Sequence, residues 1–260
     1  MRVSTENLPR DNWHHFLRLR DLEQLKGHLD LPRNSKVLEL GAGDGVQTIV
    51  LRTLFDDVVP IDVDPSGVVE GLIVADAADL PFEDNSFNVI FSSNVLEHVE
   101  DLDSAFSEMK RVLKPGGIMI HTMPTSIWKL IQLLLRPVAS LVKIVKRLVP
   151  GLGKSSGRAV PLSHGESPRV SRSLVGRVIG LVVPTIHGTS GNHISELIEF
   201  SARSWQRKFD VAGLELKGSD PLYLHSPYDL MPYRLIGVRD LLGKLGFCSV
   251  RAYVLTDPTG

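Results

Sequence analysis

The chain has 260 residues, 43% hydrophobic and 23% charged, with a formal net charge of −1. That length and balance exclude a disordered or fibrous chain and suit one large α/β domain with additions, or a domain plus a cap. The single cysteine, Cys248, excludes an internal disulfide framework and a cysteine-only metal site, and fits a reducing compartment.

The opening segment MRVSTENLPRDNWHHFLRLR has no apolar stretch of the secretory kind, so the cytoplasm is the expected location. Residues 11–30 carry Trp13, Phe16, Leu17, Leu22, Leu25 and Leu29 at roughly helical spacing, and Leu31-Pro32 should end that helix. Val37, Leu38 and Leu40 read as a buried strand that runs into Glu39-x-Gly41-x-Gly43-x-Gly45 and then a helix. Glycines spaced by two allow a sharp turn and let a ligand lie against bare backbone. An acid just ahead of such a turn suits a ligand that carries a cation.

A second strand, Val58 to Val63, ends in the acids Asp62 and Asp64. A third, Leu72 to Ala75, leads to Asp76, and a polar loop, 77–88, precedes a fourth strand from Val89 to Ser92. Val95 to Leu113 reads as helical, with a break around 100–103, and stops at Lys114-Pro115-Gly116-Gly117. Ile118 to Thr122 is a fifth strand. Strands alternating with helices predict an α/β fold: a Rossmann-like, doubly wound, mostly parallel sheet.

Residues 126–195 break this rhythm. The segment 126–151, SIWKLIQLLLRPVASLVKIVKRLVPG, contains no acid. Lys129, Gln132, Arg136, Ser140, Lys143 and Arg147 recur every three or four residues, one polar and basic stripe on an otherwise apolar helix that Pro137 should kink. So many cations oppose a membrane-spanning helix. Two readings stay open: a helix lying in a membrane interface, or a cap helix packed on the core. Both favour a bulky or lipid-linked ligand over a small polar one. From Met109 to Ser195 the chain carries 13 Lys and Arg against one acid, Glu166. Such a basic middle on an acidic body suits an anionic partner, or a merely solvated cap. A Gly/Ser/Pro/His-rich stretch follows from 151, and the alternation then resumes. A helix near Ser201–Ala212, a strand at Leu214–Lys217, a Pro/Tyr-rich loop, a helix near Ile236–Leu245 and a last strand at Ser249–Thr256 complete the chain. The implied organisation is an N-terminal helical region (1–34), a cofactor-binding core (35–125), an inserted cap (126–195) and the rest of the core (196–260).

Taken together, VLELGAGDG (37–45), Asp62 at a strand end, DAADLPFEDNSFNVIFSSNVLEHVED (76–101) and RVLKPGGIMIHT (111–122) resemble the class I S-adenosylmethionine-dependent methyltransferases. The resemblance is to the branch that includes quinone-biosynthesis and small-molecule methyltransferases, good over 35–125 and loose over 197–217. It implies S-adenosylmethionine as cofactor, with its methionyl and ribose parts against the backbone of Gly41, Gly43 and Gly45. Glu39 would accept from the ligand's ammonium, Asp62 from the ribose hydroxyls, and Val63 would pack on the adenine. Asp76 would reach the exocyclic amine with the Ala77 N–H nearby. Ser92 and Ser93, with Asn94, would end the fourth strand where the methyl group meets the acceptor.

The expected activity is methyl transfer to a small or lipid-linked acceptor, at oxygen. A hydroxyl acceptor benefits from a base, and histidine suits that role near neutral pH. The candidates are His98, His121 and His193, with His187 beside them. No metal is expected, because the Cys and His pairs of the usual zinc spacings are absent. Other readings are an inactive binding or scaffold module, which would bind cofactor without turnover, and an RNA methyltransferase. Nucleic acid is disfavoured because Trp128 is the one aromatic residue within 126–195. Contact with a membrane surface would run through 127–149. An NAD-dependent enzyme is opposed by Val46, where the dinucleotide fingerprint has glycine or alanine.

Overall fold

The computed structural model describes residues 13–64, 66, 69–148, 184, 186–225 and 236–259. Its strands are β1 (Lys36–Leu40), β2 (Asp57–Asp62), β3 (Ile73–Val74), β4 (Phe87–Ser93), β5 (Leu113–Pro124), β6 (Glu215–Pro221) and β7 (Val250–Thr256). The helices are α1 (Trp13–Gln24), α2 (Val46–Leu54), α3 (Leu102–Val112), α4 (Ser126–Leu148), α5 (His193–Glu199), α6 (Ala202–Val211) and α7 (Ile236–Lys244). The strands form one sheet in the order β3-β2-β1-β4-β5-β7-β6. Neighbours run parallel from β3 to β5, and β7 runs antiparallel to both β5 and β6. This is the doubly wound, mostly parallel arrangement that the alternation predicts.

Both faces of the central strands are covered, which explains their continuous apolar runs. On one face Leu38, Leu40, Ile90 and Met119 meet Phe106 and Met109 of α3 and Trp205 and Phe209 of α6. On the other, Val37, Val89, Phe91 and Ile120 meet Leu22 and Leu25 with Leu51 and Phe55.

Several boundaries differ from expectation. α1 stops at Gln24 and the chain turns through 25–28, yet Leu25 and Leu29 stay buried. Their apolar spacing reflects a shared core, not a continuing helix. The break expected near 100–103 is real: a short 3₁₀ turn, Leu96–His98, precedes α3, whose N-terminus is capped by Asp101 accepting from the Ser104 N–H at 3.0 Å. β5 starts at Leu113, opposite Phe87, so Lys114-Pro115-Gly116-Gly117 lies inside the strand, at a register shift. α5 runs across position 195, so the insertion's packed helices extend to residue 199. Most of the Gly/Ser/Pro/His-rich stretch, and Pro227, Tyr228, Pro232 and Tyr233 of the Pro/Tyr-rich loop, fall outside the described residues.

α4 reverses one expectation. Its polar positions Lys129, Gln132 and Ser140 are buried, while Leu130, Leu134, Val138, Leu141 and Val145 are exposed along one side. The cause is Glu196 on α5: its fully buried carboxylate takes the Lys129 ammonium at 2.5 Å, and Lys129 also donates to Gln132 Oε1 at 2.8 Å. A buried carboxylate favours a cation beside it, so Lys129 and its hydrogen-bonded neighbour Gln132 turn inward.

Candidate cofactor crevice and acceptor face

β1 has β2 on one side and β4 on the other. Connections therefore diverge at its carboxyl end, where open α/β sheets leave a crevice for ligands. The turn after β1 presents bare backbone at three of its positions. Gly41, Gly43 and Gly45 take φ of 68°, 54° and 78°, left-handed values that favour glycine. A Cβ on Gly41 would lie 2.3 Å from Val95 Cγ2, and one on Gly45 would lie 2.4 Å from Val69 Cγ2, so neither position admits a side chain.

Asp62, at the end of β2, fixes the turn. Its Oδ2 accepts from the Gly43 N–H at 2.8 Å and its Oδ1 from the Asp64 N–H at 2.9 Å. Each oxygen keeps a second lone pair for a ligand. Val63 follows directly and is 67% exposed, and Val74, paired with Asp62 across β3, is 57% exposed. Two bare apolar side chains beside a carboxylate form a surface suited to a flat ring above a diol. Asp76 holds its own turn by accepting from the Ala78 N–H at 2.9 Å, while Ala77 beside it is buried.

Glu39 carries the strongest chemical signal. It is buried within β1, and its Oε2 has no hydrogen-bond partner. Burial pushes its carboxyl up to about 7. The Thr48 hydroxyl and Arg52 oppose that rise, and the charges of Asp44 and Asp62 add to it. A buried acid with an unsatisfied oxygen attracts any cation that can reach it.

α1, which the sequence marks only as an apolar helix, spans this crevice. His15 Nε2 lies 2.6 Å from Asp44 Oδ2 in the glycine turn, and Gln47 Nε2 donates to the Arg18 carbonyl at 3.1 Å. Arg18 reaches across to the end of β4, donating to Ser93 O at 2.9 Å and Ser93 Oγ at 2.7 Å. Behind it Asp21, wholly buried, lies 2.8 Å from the Tyr223 hydroxyl; burial raises its carboxyl to about 6 against the pull of Arg18.

The fourth-strand residues depart from the reading above. Ser92 and Ser93 are buried and their hydroxyls are committed inside the protein, Ser92 Oγ lying 2.7 Å from His121 Nδ1 and Ser93 Oγ accepting from Thr122 Oγ1 at 2.9 Å. His121 is corrected as a base: it is fully buried opposite Tyr253 of β7, and desolvation lowers its imidazole to about 3. Strand pairing continues past it to Pro124 and seals it in the sheet. Directly after β4 stands Asn94, in a left-handed conformation at φ 52°.

His98 is exposed on the turn after β4, with the His187 ring edge-on at 4.5 Å. His193, at the start of α5, points Nδ1 toward Glu196 Oε2 at 3.7 Å. The spacing of His98 and His187 in the sequence gives no hint of their contact. Between them lies Glu97, whose side chain is entirely buried with neither oxygen hydrogen-bonded.

Comparison with known proteins agrees with this geometry. Residues 38–121 match the family described as "Methyltransferase domain". Over those residues the chain is similar to methyltransferase domains. Demethylmenaquinone methyltransferase of Corynebacterium glutamicum is 35% identical over 101 residues, 36% of this chain and 44% of that protein. The match thus spans less than half the length of that curated relative. Among solved structures, a chain of the complex between the Haloferax volcanii Trm112 methyltransferase activator and a methyltransferase superposes with a TM-score of 0.56 at 16% identity, over 96% of this chain and 93% of that one. An S-adenosylmethionine-dependent methyltransferase of Mesorhizobium loti gives 0.53 at 13% identity, over 91% and 97%. At such identities the structures establish the fold. The match ends at His121, and α4 and α5 lie beyond the matched residues.

Proposed function

We propose that this chain is an S-adenosylmethionine-dependent methyltransferase that methylates an oxygen of a small or lipid-linked acceptor. The observation that carries the reading is the buried Glu39 carboxylate, one oxygen unsatisfied, behind a glycine-rich turn that Asp62 holds in place. These groups fit the cofactor: Glu39 accepts from an ammonium, Asp62 from a ribose diol, and Val63 and Val74 flank an adenine. Bound there, S-adenosylmethionine supplies a methyl group activated by a sulfonium. The protein's share is to orient the acceptor, exclude water and receive a proton. α1 closes the crevice through His15 and Arg18. Of the histidines proposed as base, His98 is the one whose side chain is exposed, on the turn that follows β4.

The lipid-linked part of the reading draws support from α4. Its exposed row Leu130, Leu134, Val138, Leu141 and Val145 sits on a segment, 126–151, with no acid. An apolar face on a cationic helix suits the headgroup region of an anionic bilayer. Among the described residues no helix is long and apolar enough to cross a membrane. The demethylmenaquinone methyltransferase relative is named for a quinone acceptor, which supports the same choice. Calorimetric titration with S-adenosylhomocysteine, followed by a screen of phenolic, lipid and glycan acceptors with methyl-labelled cofactor, tests the reading. Micromolar binding with label moving to an acceptor hydroxyl is expected. Absence of binding would overturn it.

A further inference from the structure

Glu97, His98 and His187 offer one carboxylate oxygen and two imidazole nitrogens that all lie within 4.8 Å of one another. Glu97 Oε1 stands 4.0 Å from His98 Nε2 and 3.8 Å from His187 Nε2. Those separations are beyond hydrogen-bond reach, so neither imidazole satisfies the acid. The Glu97 side chain is fully buried and both its oxygens lack a hydrogen-bond partner. An acid in that state needs a cation. Lys129, the buried ammonium nearby in the cap, is engaged by Glu196.

The cluster is held from several sides. The His187 N–H donates to Glu196 Oε1 at 3.0 Å, and its ring packs against Trp128 at 4.9 Å and His98 at 4.5 Å. The Thr189 N–H donates to the Glu97 carbonyl at 3.1 Å. Between them Gly188 takes φ +77°, and a Cβ there would fall 2.4 Å from the Glu97 carbonyl oxygen. Only glycine lets the inserted segment press this closely on the turn after β4.

We propose that Glu97, His98 and His187 bind a divalent transition metal of the zinc type. Two imidazoles and one carboxylate are a donor set such ions prefer over magnesium or calcium, and three protein ligands leave a fourth position open to water or an acceptor oxygen. Ligand atoms around a tetrahedral ion at such bond lengths stand roughly 3.3 Å apart, so side-chain rotation on the order of 1 Å closes the site. The bound ion would pin the inserted cap to the core. The proposal stands apart from cofactor binding, because neither Glu39 nor Asp62 takes part, but it removes His98 as a base, since a metal-bound imidazole has no free lone pair for a proton.

The test uses full-length, tag-free protein stripped with chelator and titrated with zinc chloride against a chromogenic competitor. One equivalent should bind. Glu97→Gln and His187→Gln should each weaken binding at least ~10-fold. Because Glu97→Gln alters a buried position, His187→Gln, at a half-buried one, serves as the second variant, with circular dichroism confirming that it folds. Zinc should also raise the Tm of the parent protein and leave that of His187→Gln unchanged. No zinc binding, equal zinc binding by parent and His187→Gln, or tighter binding of magnesium chloride than of zinc would each overturn the proposal.

Discussion

Replacing Glu39 by Gln should move stability and cofactor affinity in opposite directions. In the free protein burial raises this carboxyl from 4.5 to about 7. A raised acid stabilises the fold fully only below its unfolded value; the advantage is lost as pH climbs from about 4.5 through about 7, because the unfolded chain ionises first. A difference of that size corresponds to roughly 3 kcal/mol at pH 8, an upper bound for what Glu39→Gln recovers. In a chain of this size such a gain raises Tm by roughly 6–12 °C. Binding goes the other way. The neutral amide forfeits a charge-assisted contact to the ligand's ammonium, about 1.5–3 kcal/mol, or roughly 10- to 150-fold in Kd. The pH dependence separates the two. Parent affinity should rise about tenfold per unit between pH 5 and 7 as Glu39 ionises, and fall again above about pH 8 as the ligand's amino group loses its proton. The rising limb should vanish in Glu39→Gln. Denaturation and calorimetry across pH 5–9 measure both effects. A variant that is less stable at pH 8 and binds with the parent's pH profile would refute the reasoning.

Asp62→Ala removes the acceptor for the Gly43 and Asp64 N–H groups as well as the ribose contact, so cofactor binding should weaken by about 1–3 kcal/mol; calorimetry giving an unchanged Kd would exclude Asp62 from the site. Lys129→Met leaves Glu196 buried without its cation and should cost about 3–5 kcal/mol in urea denaturation, whereas Lys129→Met combined with Glu196→Leu should regain part of that loss. Equal losses in the single and double variants would show that the buried pair is not what holds α4 to α5. Leu134→Glu with Leu141→Glu should abolish flotation with anionic liposomes without lowering Tm, since both side chains are exposed; parent protein that fails to float would remove the membrane reading.

The features legible in the sequence are those encoded within a few residues. The glycine turn, the acid ending β2, the pause at Asp101 and the helix start at Ser201 each carry their own local chemistry, and the structure places all four as read. Features set by distant partners were not legible. The polar stripe of α4 has the period of a solvated face, yet Lys129 turns inward because Glu196 supplies an acid 67 residues further on. His121 reads as a strand-end base, but β7 pairs alongside it from the far end of the chain and buries it. The contact of α1 with the glycine turn and with the end of β4 rests on His15 and Arg18 meeting Asp44 and Ser93, contacts no helical period announces.

One local signal does point to long-range chemistry. In VLELG and in VLEHV an acid stands inside an apolar run, at positions where neighbouring Leu38, Leu40 and Leu96 are fully buried. Glu39 and Glu97 both end up buried with unpartnered oxygens, and each such group costs stability that the surrounding packing must supply. Cation binding offsets that cost, and the two surroundings differ in what they admit. Bare backbone and the Asp62 carboxylate beside Glu39 leave room for an organic ammonium. Two imidazole nitrogens facing Glu97 leave room for a metal ion. On the two proposals the same signal marks two different ligands, with glycine next to one buried acid and histidine next to the other.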